Sequence, residues 1–190
     1  TLSQHAALPI YIMNIYFVRH GVTAGNEANQ VQQPTIPLSE KGIEQAEFLA
    51  KRFESISIDV VIASSMERAR QTAKIINEVL KVPFHESDLF EEIKRPSEVR
   101  GRDKKDPEVK EIMKQVKANF TNPDWRYSDE ENFFLARDRA QKALDEAISR
   151  PEANILIVTH GEILRMMLSV LTFKEKLTPD IYEAMKDTFV

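Results

Sequence analysis

The chain has 190 residues, with 30 acidic and 26 basic side chains and a formal net charge of −4, so its charge does not point to a nucleic-acid partner. No apolar run approaches the ~18 residues of a membrane-spanning helix and no secretory signal is evident, which favours a cytoplasmic protein without a membrane partner. The sequence contains no cysteine, which excludes disulfides, thiolate catalysis and cysteine-bound metal.

The N-terminal segment shows neither helical nor strand periodicity. A strand pattern begins directly after Met13, so we interpret residues 1–12 as an appended leader and exclude His5 from the chemistry. Residues 13–190 have the length of one domain with one well-buried core.

Short apolar runs alternate with helical patterns along most of the chain. Strands are predicted at 14–19, 58–64 and 154–161 because these runs are β-rich and bounded by turn residues. Helical spacing of apolar residues follows each run, and Ser39 is a suitable N-cap for the first helix. Strands that alternate with helices predict an α/β fold with a mostly parallel sheet.

A basic segment and a further amphipathic helix interrupt this alternation between residues 94 and 132. Asp106 precedes Pro107 as a helix cap, and a turn-rich loop with Trp125 follows the helix. We interpret residues 94–132 as a helical insertion over the sheet and not as a separate domain.

Two predicted strands end on a histidine followed by glycine, at His20 and at His160. Because ligands bind beyond the carboxyl ends of parallel strands, we expect both imidazoles at one edge of the sheet. A single histidine is more often structural, but the repeated arrangement favours a function, with Gly21 letting the backbone turn closely beneath a ligand.

Two arginines are candidates for the same edge of the sheet: Arg19 ends the first predicted strand, and Arg68 follows the second. Arg68 lies in the first turn of a helix, where the dipole disfavours a cation unless an anion is bound, whereas Arg70 suits a solvated surface. Guanidinium forks from Arg19 and Arg68, with two imidazoles between them, suit a tetrahedral oxyanion such as phosphate.

Three motifs together resemble the histidine phosphatase superfamily, which has the phosphoglycerate mutase-like fold. They are RHG after the first strand, SSMERARQTA after the second and THG late in the chain. The resemblance covers residues 14–172, and it implies a three-layer α/β/α fold with the insertion over the active site. Family members continue past the late helix with an edge strand, so it also implies that a C-terminal edge is missing from this sequence.

The resemblance assigns roles to residues at the motif positions. His20 would be the nucleophile that takes the phosphoryl group, while Arg19, Arg68 and His160 would hold its oxygens. Thr23 and Asn26 match a further phosphate or substrate contact of the family.

The proton donor in this family is a carboxylate after the third strand. The segment LFEEIKRPS offers Glu91 and Glu92. Spacing alone leaves both open, and the resemblance selects Glu92 as the catalytic acid.

The insertion supplies candidates for substrate specificity, namely Arg100, Arg102 and Trp125. One interpretation is a cap whose cations meet a second anionic group of the substrate. A solvated charged loop with packed aromatic residues explains the same pattern equally well.

These features predict a metal-independent phosphomonoesterase that forms a phosphohistidine on a small phosphorylated metabolite and needs no cofactor. The alternatives are a phosphoglycerate mutase-type transfer and a non-catalytic module that binds a phosphorylated ligand. The sequence leaves the oligomeric state open, and a homodimer is one assembly that it allows.

Overall fold

A computed structural model describes residues 12–185. The strands are β1 (Asn14–Arg19), β2 (Val60–Ala63), β3 (Phe84–Glu86) and β4 (Asn154–Thr159). The helices are α1 (Ala24–Glu27), α2 (Glu40–Phe53), α3 (Glu67–Leu80), α4 (Pro107–Asn119), α5 (Phe133–Ile148), α6 (Gly161–Phe173) and α7 (Pro179–Met185). Except for Ile12, the predicted leader lies outside the described residues, as does the C-terminal end of the chain.

The four strands form one parallel sheet in the order β1-β4-β2-β3. The last residue of β1, Arg19, pairs with Thr159 at the end of β4, so both strands stop at the same level. This register brings the two histidines that follow, His20 and His160, to one edge of the sheet and explains why the sequence patterns meet there.

Apolar residues on the two faces of the sheet form two separate cores. On one face, Ile155 and Ile157 pack against α5 and α6. On the other, Val61 and Leu156 pack against α2 and α3. This arrangement confirms the predicted three-layer α/β/α fold.

Residues 94–132, which we call the cap, contain α4 and its flanking loops. α4 begins after Asp106, whose carboxylate accepts the amide of Glu108, as the sequence predicted. Its buried side packs Val109 and Ile112 against Val31 from the loop between β1 and α2. Because that loop begins beside His20, the cap and the carboxyl end of β1 enclose a common space.

The structure adds elements that periodicity did not predict and shortens one that it did. β2 spans Val60–Ala63, inside the predicted range 58–64, while β3 and α7 were not assigned from the patterns. Three residues are enough for β3 because it pairs only at the sheet margin. Within residues 12–185, none of the helices has the length and apolar character required to cross a membrane.

Candidate active site

His20 extends the pairing of β1 and β4 by one residue, since its amide donates to the carbonyl of Thr159 at 3.0 Å. The residue is only 8% exposed. Its Nδ1 lies 2.7 Å from the carbonyl oxygen of Gly21, and Nε of Arg68 donates to its Nε2 at 3.2 Å. Because a guanidinium can only donate, Nε2 is the unprotonated nitrogen and Nδ1 carries the proton.

The glycine after His20 has a packing role. A Cβ on Gly21 would lie 2.5 Å from the carbonyl oxygen of Gly42 in the first turn of α2. No side chain is tolerated at that distance, so Gly21 allows the chain that carries His20 to pass directly over α2. This contact is a reason for the glycine that the sequence alone did not supply.

His160 follows β4 and is fully buried as the N-cap residue of α6. Its ring centroid lies 5.0 Å from that of His20, with an angle of 55° between the ring planes. Its Nε2 lies 2.8 Å from Oγ of Ser64, and that oxygen already accepts the amide of Met66. The Ser64 hydroxyl keeps its proton for donation to Nε2, and in that arrangement the ring proton of His160 is on Nδ1.

Within the described part of the chain, Nδ1 of His160 has no hydrogen-bond partner. A buried N–H without a partner is costly, and an oxygen atom of a bound ligand would satisfy it. His160 therefore offers a buried donor whose ring lies 5.0 Å from that of His20.

Arg68 occupies the first turn of α3, as predicted, and is 3% exposed. Besides contacting His20, its guanidinium donates to the carbonyl of Gln33 at 3.0 Å and to the sulfur of Met66 at 3.2 Å. These contacts fix the plane of the guanidinium, and the N-terminus of α3 lacks a side-chain cap. A cation held at an uncapped helix N-terminus provides the electrostatics of an anion site.

Arg19 behaves differently from Arg68. Its side chain is exposed, lies against Gly161 at the start of α6, and makes no hydrogen bond or ion pair with any other described residue. It lines the same cavity as His20. Arg19 is therefore free to contact a ligand without breaking an existing bond.

Burial controls the protonation of His20, His160 and Arg68. Burial, with help from Arg68 and then Arg19, lowers the pKa of His20 to about 3. Burial and Arg68 also hold the pKa of His160 well below its usual value, while burial lowers the pKa of Arg68 to about 10. At neutral pH the site thus presents two neutral imidazoles and two guanidinium cations, a combination that favours an anionic ligand.

Glu92 reaches the same place from the loop after β3. Its carboxylate accepts the amide of Ile163 at 3.0 Å and that of Glu162 at 3.2 Å, so it caps the N-terminus of α6 next to His160. Burial, followed by the charge of Glu162, raises its pKa, which favours a protonated carboxyl able to donate.

Glu91, the alternative acid, lies on the other side of this loop. It accepts a hydrogen bond from the hydroxyl of Ser65 at 2.9 Å. Both glutamates line the cavity, but Glu92 alone contacts the α6 N-terminus beside His160. The geometry thus distinguishes two residues that spacing could not.

Thr23 and Asn26 form a capping box that starts α1. The hydroxyl of Thr23 accepts the amide of Asn26 at 3.1 Å, and the amide of Thr23 donates to Oδ1 of Asn26 at 3.2 Å. Thr23 is fully buried, whereas Asn26 is exposed and lines the cavity. A phosphate contact from either residue stays a prediction, and the structure leaves more room for it at Asn26.

A cavity with a volume of about 1240 Å³ is lined by Arg19, His20, Asn26, Arg68, Glu91 and Glu92, while His160 and Thr23 lie behind its wall. Arg100 lines it, but Arg102 and Trp125 do not. Arg102 pairs instead with Asp106 and Glu108 at the start of α4. Trp125 packs against the apolar core beneath α4, which includes Val31 and Val99. The structure therefore brings only Arg100 of the three specificity candidates to the cavity.

Sequence reasoning missed several residues of this region. Ser64 follows β2 directly, and its position at a strand end was the available signal. The lysines of α4 that line the cavity were not predicted, because the basic loop before the helix carries the denser cluster of cations in the sequence. Within the described residues, no group of three or more His, Asp or Glu side chains is arranged to hold a metal ion.

Comparison with known proteins places these features in one family. The profile of the histidine phosphatase superfamily (branch 1) matches residues 15–181. The chain is 33% identical over 163 residues to "Probable phosphoglycerate mutase GpmB" of Yersinia pestis, a match that covers 84% of this chain and 75% of that protein.

Solved structures show the same fold. The alpha-ribazole phosphatase from Shigella flexneri superposes with a TM-score of 0.72 at 25% identity, covering 91% of this chain and 83% of that one. A mycobacterial glucosyl-3-phosphoglycerate phosphatase has a TM-score of 0.72 at 20% identity, covering 88% and 83%. The chain therefore belongs to the histidine phosphatase superfamily.

Proposed function

We propose that this enzyme hydrolyses phosphomonoesters of small metabolites, without a metal, through a phosphohistidine at His20. One observation carries the proposal. The contacts of His20 with Arg68 and Gly21 leave its Nε2 unprotonated and its ring neutral, which is the state required for attack on phosphorus. The guanidinium that contacts this nitrogen supplies positive charge at the point where the phosphoryl oxygens would lie.

In the first step, Arg68 shifts its Nε hydrogen bond from Nε2 of His20 to a phosphoryl oxygen, and the freed lone pair of Nε2 attacks phosphorus, so that a P–N bond forms as the ester P–O bond breaks. The leaving oxygen keeps the bonding electron pair and takes a proton from the carboxyl of Glu92, whose raised pKa favours the protonated form. Arg19, Arg68 and Nδ1–H of His160 hold the non-bridging oxygens. Positioning and charge stabilisation of this kind supply most of the catalysis in phosphoryl transfer.

In the second step, water attacks phosphorus as the carboxylate of Glu92 takes its proton. The P–N bond breaks, its electron pair returns to Nε2, and inorganic phosphate leaves. A cavity of about 1240 Å³ beside His20 leaves room for that water next to a small substrate.

A covalent trap tests the nucleophile. We expect a rapid acid-free quench during turnover of a labelled aryl phosphate to capture label on His20, as an adduct stable in alkali and lost in acid. His85→Ala is the matched control, because His85 is exposed on β3 and does not line the cavity. Label on another side chain overturns the nucleophile assignment, and the absence of both label and turnover favours the non-catalytic binding module.

Mutase activity is the second candidate, and the 33% identity to a probable phosphoglycerate mutase favours it. Incubation with 3-phosphoglycerate and a catalytic amount of the bisphosphate separates the two reactions. We expect slow release of inorganic phosphate. Rapid formation of 2-phosphoglycerate without phosphate release would overturn the assignment of hydrolysis in favour of the mutase reaction.

A further inference from the structure

The cavity at His20 is larger than a phosphoryl group requires. Its volume of about 1240 Å³ exceeds the roughly 300–1,000 Å³ typical of sites for small ligands. It continues from His20 to α4 in the cap, which contributes a wall of its own. The space beyond the phosphoryl group is thus available to the rest of the substrate.

Three lysines of α4 line this distal part of the cavity, and we call them the lysine row: Lys110, Lys114 and Lys117. Their spacing of four and three residues places them on one side of the helix. Lys104, from the loop before α4, lines the same cavity.

The lysine row and Lys104 are exposed, and none of these four ammonium groups pairs with another described residue. By contrast, the two arginines of the neighbouring loop are already engaged, Arg100 with Asp129 and Arg102 with Asp106. The lysines can therefore bind an anion without giving up a carboxylate partner.

The carboxylates of α4 lie away from the cavity. Glu108 pairs with Arg102, Glu111 accepts from the side chain of Gln115, and neither glutamate is among the lining residues. Ten lysine and arginine side chains line the cavity against four carboxylates, in a chain whose net charge is −4. The excess of positive charge attracts anions to this space along its whole length.

Apolar side chains line the cavity together with the two groups of cations. Val31, Met66, Ile93, Val109 and Met113 all contribute to the cavity wall. A substrate that spans the cavity would place a carbon skeleton against these side chains, with a charged group at each end.

We propose that the lysine row forms a second anion subsite and selects elongated phosphomonoesters that carry a second anionic group beyond an apolar middle. The inference deepens the proposed function and rests on it for the reacting end. The phosphoryl group to be removed lies at His20, and the second phosphate or carboxylate lies against Lys110, Lys114 and Lys117.

Calorimetry with phosphonates tests the subsite without turnover, because their P–C bond is not hydrolysed. The probes are α,ω-alkane bisphosphonates of increasing chain length and alkyl monophosphonates of the same lengths. We expect the best bisphosphonate to bind about ten-fold more tightly than its monophosphonate, beyond the two-fold statistical gain of two identical ends. Lys110→Gln/Lys114→Gln/Lys117→Gln should remove this preference and leave the monophosphonate dissociation constant unchanged.

A charge-matched variant controls for the loss of three positive charges. Lys51→Gln, Lys74→Gln and Lys142→Gln together remove exposed lysines of α2, α3 and α5 that do not line the cavity. This variant should retain the preference. Equal affinity for both probe classes at every chain length, or an equal loss in the two triple variants, overturns the subsite.

The two proposals fail in different ways. Trapped phosphohistidine and phosphate release, together with no preference for bisphosphonates, would remove the subsite and keep the phosphatase. A preference that depends on the lysine row, without turnover of any phosphomonoester, would keep the subsite and remove the proposed hydrolysis.

Discussion

The two ends of the main cavity handle charge in opposite ways. At the sheet end, His20, His160 and Arg68 are buried and held by specific hydrogen bonds. At the cap end, lysines are exposed and unpaired with other described residues. Buried polar groups are oriented before a ligand arrives, whereas solvated lysines adapt to one at a cost in side-chain entropy.

From this contrast we expect the chemistry at the sheet end of the cavity and the substrate selectivity at the cap end. Desolvation at the sheet end keeps His20 neutral and strengthens the field of Arg68, both of which phosphoryl transfer needs. Solvent screens the cap lysines, so each contributes only modestly to binding. Substitutions at the sheet end should therefore change the rate strongly, and substitutions in the cap should change affinity mildly.

The largest effect is expected for the catalytic acid. Glu92→Gln should lower kcat for alkyl phosphates by about 10²–10⁴-fold, because an amide cannot protonate the leaving alkoxide. Aryl phosphates, which leave without full protonation, should be affected less. Steady-state kinetics on both substrate classes measures the difference, with Glu91→Gln as the control that retains activity.

The dependence of kcat/KM on pH tests whether the carboxyl proton of Glu92 is the one transferred to the leaving group. Burial and Glu162 raise the pKa of Glu92, and the first step needs its protonated form, so kcat/KM should fall as the pH rises through that pKa. Glu92→Gln should lack this basic limb. A larger loss in Glu91→Gln, or an unchanged basic limb in Glu92→Gln, assigns the acid elsewhere.

The next effect concerns the buried cation. Arg68→Lys should reduce kcat/KM by about 10²–10³-fold, since an ammonium cannot reproduce the planar set of donors that contacts His20 and Gln33 before the reaction and a phosphoryl oxygen during it. Arg70→Lys is the matched control two residues along α3, where the side chain pairs with Glu67 at the surface. Similar losses in both variants would mean that Arg68 acts only through the stability of α3.

A smaller effect links the site to folding. Since the pKa of His20 is about 3 in the folded chain and ordinarily 6.5, protonation favours the unfolded chain as the pH falls below 6.5. Between about pH 7 and pH 5 this residue alone should remove about 2 kcal/mol of the free energy of unfolding. Denaturant titrations at the two pH values should show that the free energy of unfolding drops by about 2 kcal/mol less in His20→Gln than in the unmodified protein. An equal drop in both proteins would show that the imidazole is not desolvated.

Most of the sheet end could be predicted from the sequence, because each motif follows a strand. The structure confirms the strand range 14–19, the helix N-cap residues Ser39 and Asp106, and the proximity of His20 and His160. The physical reason is local. An apolar run fixes a strand, and the residue after the run must lie at the sheet edge.

The cap was less predictable, because its charges depend on tertiary pairing. Arg100 and Arg102 look equivalent in the sequence, yet one lines the cavity and the other closes the first turn of α4. Trp125 packs in the small core beneath α4, which agrees with the alternative interpretation in which the aromatic residues of the insertion are packed. Side-chain direction in a loop is set by partners distant in sequence, which periodicity does not reveal.

The smallest expected effect separates these two arginines. Arg102→Gln should leave KM within about two-fold for phosphomonoesters with a second anionic group, because its partners Asp106 and Glu108 are at the surface. Arg100→Gln should raise the same KM by up to about five-fold, since its guanidinium lines the cavity beside Asp129. Kinetics over a panel of such substrates compares the two. If Arg102→Gln produces the larger rise, the cap approaches the substrate from the side that carries Arg102, and the division of the cavity into a sheet end and a lysine-lined end is wrong.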